Sequence, residues 1–236
     1  MKEGGLNEQE AYGAIINYAI GNGNQKYDEV LSNPQNILKE DFIKDVKVIL
    51  LGESGVGKTC IINRYINNVY NNSTPSTLGT AFSVKEIKKG NIKYNVNVWD
   101  TTGQEKYHSV TNLFINGSNI VILVYSITSE SSFKGLEYWY NSLKEKLEGE
   151  NYVLAIIGSK CDLAEEEVVS EEEGRKYAKS KKASFKLVSA KEDPEGINKL
   201  FDSLLDELIK SDKLEARYDS CIVTKPNAKG KKKGFC

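Results

Sequence analysis

The chain has 236 residues, with 32 Lys and Arg against 33 Asp and Glu, giving a formal net charge of -1. That length suits one ordinary domain with appendages, and the even balance excludes the broad basic field needed to grip nucleic acid. No apolar run reaches the roughly 18–20 residues of a membrane span, and Met1-Lys2-Glu3-Gly4 has neither a secretory core nor a glycine in the myristoylation position.

Residues 1–45 read as an N-terminal extension. Ala11, Tyr12, Ile15, Ile16, Ala19 and Ile20 recur at helical spacing, which fits one amphipathic helix. The breakers Gly21-Asn22-Gly23-Asn24 and Asn33-Pro34 follow. A partner-docking helix and a weakly ordered extension both fit, the second better.

The apolar run Val46–Leu51 predicts the first core strand. Gly52-Glu53-Ser54-Gly55-Val56-Gly57-Lys58-Thr59 follows it directly and leads into Cys60-Ile61-Ile62. This is the phosphate-loop pattern G-x-x-x-x-G-K-[ST] in its strand–loop–helix setting. Backbone N–H groups of Ser54, Gly55, Val56, Gly57, Lys58, Thr59 and Cys60 are expected to surround phosphate oxygens at a helix N-terminus. Lys58 would neutralise the β- and γ-phosphates, and the Thr59 hydroxyl would ligate Mg²⁺.

Further strands are expected at Ala81–Ile87, Tyr94–Trp99, Ile120–Tyr125, Val153–Ile157 and Phe185–Val188, with helices at Lys58–Asn67, Ser131–Leu147, Glu171–Lys181 and Glu195–Lys210. This alternation predicts an α/β fold with a six-stranded, mostly parallel sheet and helices on both faces. The second and third strands, joined by Lys88-Lys89-Gly90-Asn91, read as an antiparallel hairpin, so one strand runs against the rest. Ligands on such sheets bind at the carboxyl ends of the strands. Four loops should therefore surround one pocket: Gly52–Thr59, Asp100–Gln104, Ser159–Asp162 and Ser189–Lys191.

Asp100 at a strand end, facing a phosphate loop, suits Mg²⁺ held through water. Gly103 lets its backbone approach a γ-phosphate, and Gln104 can orient a water for in-line attack. Asp162 can accept two N–H bonds from the N1 and 2-amino edge of guanine, a donor pair that adenine lacks. Lys160 would lay its stem along the base. The four cysteines, Cys60, Cys161, Cys221 and Cys236, have no disulfide or zinc spacing and point to a reducing compartment. The lone His108 reads as an exposed or packing residue.

These motifs resemble, in order and spacing, those of the Ras superfamily of small GTPases, closest to the Rab branch. Ser76-Thr77-Leu78-Gly79-Thr80-Ala81-Phe82 resembles the Rab switch I segment, and Trp99–Tyr107 resembles its WDTAGQERF switch II segment. The resemblance runs from about Asp45 to Lys210 and implies a P-loop NTPase G domain over residues 46–210. It implies that Thr77 binds Mg²⁺ and the γ-phosphate, that Tyr70 packs across guanine, and that the Ala190 N–H meets the base carbonyl, with Ser189 and Lys191 beside it. Leu78, Gly79, Phe82, Trp99 and Phe114 would face effectors, the last three as an aromatic triad. It further implies a slow GTP hydrolase cycling between GTP and GDP, a monomer served by exchange factors (GEF), activating proteins (GAP) and GDI or escort-type regulators. Its place would be the cytoplasm and the cytoplasmic face of intracellular membranes, in vesicle and protein transport.

Three positions depart from the family pattern. Ser159 stands where the guanine motif NKxD has Asn, which predicts weaker or faster-exchanging guanine binding. Thr102 stands for the usual Ala beside the γ-phosphate and predicts slower hydrolysis, unless it faces away. Ser126 replaces the Asp of the VYD strand. Arg64, Arg175 and Arg217 are the only arginines and none lies in a switch segment, so no arginine finger is offered in cis. A nucleotide-loaded scaffold with negligible hydrolysis and a Ras-type signalling GTPase stay open, and a P-loop small-molecule kinase fits less well.

Residues 211–236 read as a flexible tail with Lys229, Lys231, Lys232 and Lys233 ahead of a terminal Cys236. No C-a-a-X box is present. Rab tails resemble this one in ending on cysteine, though usually with two, so Cys236 is the candidate for prenylation.

Overall fold

The computed structural model describes residues 42–72, 77, 80–103 and 108–211. The expected amphipathic helix before Gly21, switch residues Leu78, Gly79 and Gln104, and tail residues Cys221, Cys236, Lys229, Lys231, Lys232 and Lys233 lie outside the described residues. By proximity the described residues form two units, one with 42–44 and 88–94, the other with those of 45–87 and 95–211. In the first, Gly90 takes a φ of 60° at the hairpin turn, where glycine alone avoids a steric penalty. The second contains the core and the loops of interest.

Six strands form one sheet: β1 (Phe42–Leu51), β2 (Thr80–Lys89), β3 (Ile92–Thr101), β4 (Ile120–Ser126), β5 (Val153–Ser159) and β6 (Ser184–Val188), in the order β2-β3-β1-β4-β5-β6. One strand is antiparallel and the rest are parallel. Every residue of β4 and β5 is buried, as are Val48–Leu51 of β1. Strands covered on both faces need apolar side chains on both, which is why these segments read as unbroken hydrophobic runs. β2, at the sheet edge, alternates exposed and half-buried positions instead.

The helices are α1 (Lys58–Asn67), α2 (His108–Leu113), α3 (Glu130–Lys134), α4 (Leu136–Lys146), α5 (Glu171–Ser180) and α6 (Pro194–Lys210). α6 buries Ile197, Leu200, Phe201, Leu204, Leu205 and Leu208, the one-sided spacing of a helix laid on a core. Asp193 caps it by accepting from the Gly196 N–H, with Pro194 in the first turn. Ser170 and Glu173 form a reciprocal capping box at the start of α5. Glu171, Glu172 and Glu173, an acidic cluster in the sequence, occupy that helix's first turn, where the macrodipole favours negative charge.

The single helix expected over Ser131–Leu147 is two helices meeting at Gly135. A Cβ at Gly135 would lie 2.6 Å from Glu53 Oε1, so the junction admits a side chain from the phosphate loop. Ser126 has a structural role: its backbone N–H donates to Ser132 Oγ at 3.0 Å, and its hydroxyl pairs with Thr128 Oγ1 at 2.9 Å. Parallel register aligns the strand ends that matter. Leu51 pairs with Leu123, Ser126 with Ser159, and Ser159 with Val188. The loops after β1, β5 and β6 consequently leave the sheet on one side.

Candidate functional site

Three glycines shape the loop after β1. Gly55 and Gly57 adopt φ of 77° and 98°, and Gly57 is the residue before α1. Gly52 allows β1 to pass β4, since a Cβ there would sit 2.1 Å from the Val124 carbonyl oxygen. At Gly55 and Gly57 the left-handed backbone, rather than lack of space, disfavours any side chain.

Lys58, only 5% exposed, donates to the carbonyls of Gly52 and Glu53, both at 2.8 Å. Burial pulls its pKa down to about 8, although the nearby Asp100 and Glu53 carboxylates act in the opposite direction. A buried ammonium held by two carbonyls is electrostatically underpaired, and an anion over the loop would restore its charge.

Oxygen atoms gather beside it. Thr59 Oγ1 donates to Asp100 Oδ2 at 2.8 Å and lies 2.7 Å from Thr77 Oγ1, which donates to the same carboxylate oxygen at 3.3 Å. The other oxygen, Asp100 Oδ1, is buried with no hydrogen-bond partner. Burial raises the pKa of Asp100, against the Thr59 bond and the Lys58 charge, which favour its ionised form. An orphaned carboxylate oxygen next to two hydroxyls is a set that a hard divalent cation would complete.

A cavity of about 330 Å³ opens over this group, lined by Ser54, Gly55, Lys58, Thr59, Thr77 and Thr102 among others. Gly103 borders it, pressed so closely on the phosphate loop that a Cβ would lie 2.3 Å from the Glu53 carbonyl carbon. Thr102, 2% exposed, is part of the wall.

A second cavity of about 270 Å³ adjoins it and shares Gly57, Cys60, Tyr70, Asn72, Lys160 and Leu163. Ile61, Ser159, Asp162, Ala190 and Lys191 complete its wall. Lys160 stands at a φ of 62° and turns the chain into a 3-10 helix, Cys161–Glu166, where the sequence suggested only a loop. Asp162 Oδ1 accepts from Ser189 Oγ at 2.7 Å, and the same hydroxyl accepts from the Glu192 N–H at 2.9 Å. The Ser159 hydroxyl lies 2.5 Å from the Val56 carbonyl and 2.8 Å from that of Tyr125. It keeps a tie to the phosphate loop while having no second hydrogen for a base.

Of the residues expected to bind nucleotide, all line one or other cavity except Val56, whose carbonyl meets the Ser159 hydroxyl, and Ser189, which meets Asp162. Asn72 and Leu163 also line both cavities and had no motif to mark them. Leu163 follows Lys160 by one 3-10 turn, a spacing visible only once that turn is known. The aromatic triad is contiguous: ring centroids are 5.1 Å apart for Phe82 and Trp99, and 5.2 Å for Trp99 and Phe114. Trp99 and Phe114 pack against the core, while Phe82 is 52% exposed.

Comparison with known proteins agrees with this arrangement. Residues 47–210 match the model of the Ras family. Ras-related protein Rab-10 of Caenorhabditis elegans is 39% identical over 145 residues, covering 61% of this chain and 72% of that protein. Ras-related protein Rab-17 of Homo sapiens is 37% identical over 164 residues, or 70% and 76% of the two chains. Ras-related protein Rab-21 of Bos taurus is 37% identical over 182 residues, or 77% and 81%. With the phosphate loop, the converging oxygens and the guanine-type loops all in the matched span, the chain belongs to the Ras family of small GTPases, in its Rab branch.

Proposed function

We propose that residues 46–210 bind GTP and GDP with Mg²⁺ and hydrolyse GTP slowly, as the switch of a membrane-trafficking GTPase. The observation that carries this reading is the joining of the two cavities, one suited to phosphates and a cation, the other to a purine.

Lys58 meets the β- and γ-phosphates, with the N–H groups of Ser54–Cys60 around them. Thr59, Thr77 and Asp100 would hold the magnesium ion, which supplies charge neutralisation at the phosphate oxygens. Gly103 offers its N–H to the γ-phosphate, and Gln104 orients the attacking water. The water adds to the γ-phosphorus as the bond to the β-phosphate oxygen breaks, leaving GDP and inorganic phosphate. Asp162 accepts from the guanine N1–H and 2-amino groups, Tyr70 and the Lys160 stem cover its faces, and Ser189 holds the Asp162 carboxylate. With no arginine in a switch segment, turnover should be on the order of 10⁻⁴ to 10⁻³ s⁻¹, the scale of unassisted Ras. Thr102 in the phosphate wall slows it further, so a GAP sets the lifetime of the GTP form.

Phe82, Trp99 and Phe114, with Leu78 and Gly79, form the face that effectors read. The tail, residues 211–236, attaches the protein reversibly to a membrane. One lipid on Cys236 gives only marginal anchoring, and each of Lys229, Lys231, Lys232 and Lys233 adds about 1 kcal/mol near an anionic leaflet. Among the described residues no helix is long and apolar enough to cross a membrane. A GDI or escort protein would shield the lipid while the protein cycles through the cytoplasm, and an exchange factor would reload it.

Purified protein in magnesium should retain GDP and prefer GTP to ATP by about a thousandfold or more. Chelation should speed GDP release, and Asp100→Asn should remove most of that dependence. Equal affinity for ATP, or release indifferent to magnesium in the unaltered protein, would overturn the reading.

A further inference from the structure

Arg64, on the last turn of α1, is half-buried and donates in three directions. Its Nε bonds the Ala190 carbonyl at 2.7 Å, Nη2 bonds the Lys191 carbonyl at 3.3 Å, and Nη1 bonds the carbonyl of Asn68 at 2.8 Å and its side-chain oxygen at 3.2 Å. One guanidinium fork therefore ties the end of the phosphate-loop helix to the loop after β6.

The orientation of that loop follows from peptide planarity. No peptide bond among the described residues is cis, so each N–H there points opposite to the carbonyl of its own peptide. The Ser189 carbonyl accepts from the Asp193 N–H at 3.0 Å, at the start of α6, which turns the Ala190 N–H the other way. The Ala190 carbonyl is held by Arg64, which turns the Lys191 N–H the other way. Both N–H groups thus point away from Asp193 and Arg64, and Ala190 and Lys191 both line the cavity. In that same cavity Asp162 presents an acceptor, and the Ser159 hydroxyl hydrogen is committed to backbone carbonyls. A purine with donors on one edge and a carbonyl at C6 would suit both walls.

We propose that Arg64 is a positioning residue for base selectivity: by clamping Ala190 and Lys191 it aims their N–H groups at the C6 oxygen of guanine. This rests on the guanine-nucleotide reading above. A planar, always-charged fork fixes two carbonyls at once, which an ammonium or a neutral amide does not. With Ser159 offering the base no donor, the pocket depends on those N–H groups for C6 discrimination.

Release of ribose-labelled GDP, 6-thio-GDP and inosine diphosphate from the full chain tests this. The thio analogue keeps N1–H and the 2-amino group but has a poor acceptor at C6, while the inosine nucleotide keeps the C6 oxygen and lacks the amino group. Arg64→Gln should release GDP about tenfold faster and cut the preference for GDP over 6-thio-GDP by a similar factor. Its preference for GDP over inosine diphosphate, set by Asp162, should stay within about twofold of the parent. An unchanged thio preference, or an equal fall in both preferences as from general loosening, would overturn the proposal. Should Arg64→Gln not fold, Arg64→Lys carries the test: a selective fall in thio preference supports it and an unchanged one overturns it. Failure of the unaltered protein to hold any of the three nucleotides would instead remove the guanine-nucleotide reading itself.

Discussion

The Ser159 hydroxyl lies 2.5 Å from the Val56 carbonyl oxygen, joining the end of β5 to the phosphate loop across 103 positions of sequence. With Tyr125 O at 2.8 Å it ties three neighbouring segments through one hydrogen. Ser159→Ala would leave two buried carbonyls short of a donor, at a cost of about 1–3 kcal/mol. Labelled GDP should then leave about 5- to 100-fold faster. Ser159→Asn, which brings amide donors for both loop and base, should slow release below that of the parent. Equal release rates for all three proteins would show that the tie is irrelevant to nucleotide retention.

Gly103 cannot carry a side chain where it stands. A Cβ would approach Ser54 N to 2.4 Å and the Glu53 carbonyl oxygen to 2.4 Å, contacts made by backbone that cannot swing aside. Gly103→Ala should push the loop after β3 away from the phosphate loop and cost about 1–3 kcal/mol. Trp99, on β3 just ahead of this loop, is only partly buried, whereas Trp139 is 0% exposed. The difference in tryptophan fluorescence between GTP and GDP forms should therefore report Trp99 and disappear in Gly103→Ala. Retention of a normal difference would contradict this account.

The aromatic triad divides into a core half and a surface half. Trp99→Ala removes a ring packed between Phe82 and Phe114 and lying under the Lys47 ammonium at 5.1 Å, and should destabilise by about 2–3 kcal/mol. Phe82→Ala, at a position 52% exposed, should cost under about 1 kcal/mol while weakening effector binding. Urea unfolding of the two variants distinguishes these values. A large loss from Phe82→Ala would make that ring a packing element.

Glu137 supplies a pH-dependent increment. Its carboxylate meets Lys181 Nζ at 2.8 Å and accepts from the Tyr177 hydroxyl at 3.1 Å, and the Lys181 bond is the main reason its pKa lies below the ordinary 4.5. The folded value being depressed, the stabilisation is full above the unfolded pKa and vanishes as pH falls through the folded one. Glu137 is half exposed, so screening keeps the pair below about 1 kcal/mol although Lys181 is mostly buried. Glu137→Gln should be slightly less stable than the parent at pH 7, and the difference should close as pH falls below the folded pKa of Glu137, which lies under the ordinary 4.5. A difference that persists in acid would point to packing rather than charge.

Much of the site was legible in the sequence because its chemistry depends on local order. The phosphate loop needs glycines at fixed intervals before a lysine and a hydroxyl, so Gly52–Thr59 announces itself. Buried parallel strands need apolar side chains on both faces, so Val46–Leu51, Ile120–Tyr125 and Val153–Ile157 stand out. α2 did not, because a six-residue helix is too short to show a period. The break at Gly135 did not either, since Ser131–Leu147 is locally helix-compatible and the side chain occupying the gap, Glu53, belongs to a distant loop.

From the sequence alone came the strand–helix order, the phosphate-loop motif, Asp162 as a candidate acceptor and the departures at Ser159, Thr102 and Ser126, all of them properties of neighbours along the chain. Only the folded chain showed where those departures sit: Ser159 turned to Val56, Thr102 in the wall of the cavity over the phosphate loop, Ser126 tied to Ser132 and Thr128. It also placed Asp100 Oδ1 without a partner and put Arg64 against Ala190. Hydrogen bonds between remote segments depend on strand register and loop direction, and these are fixed when the sheet closes and brings its strand ends to one side.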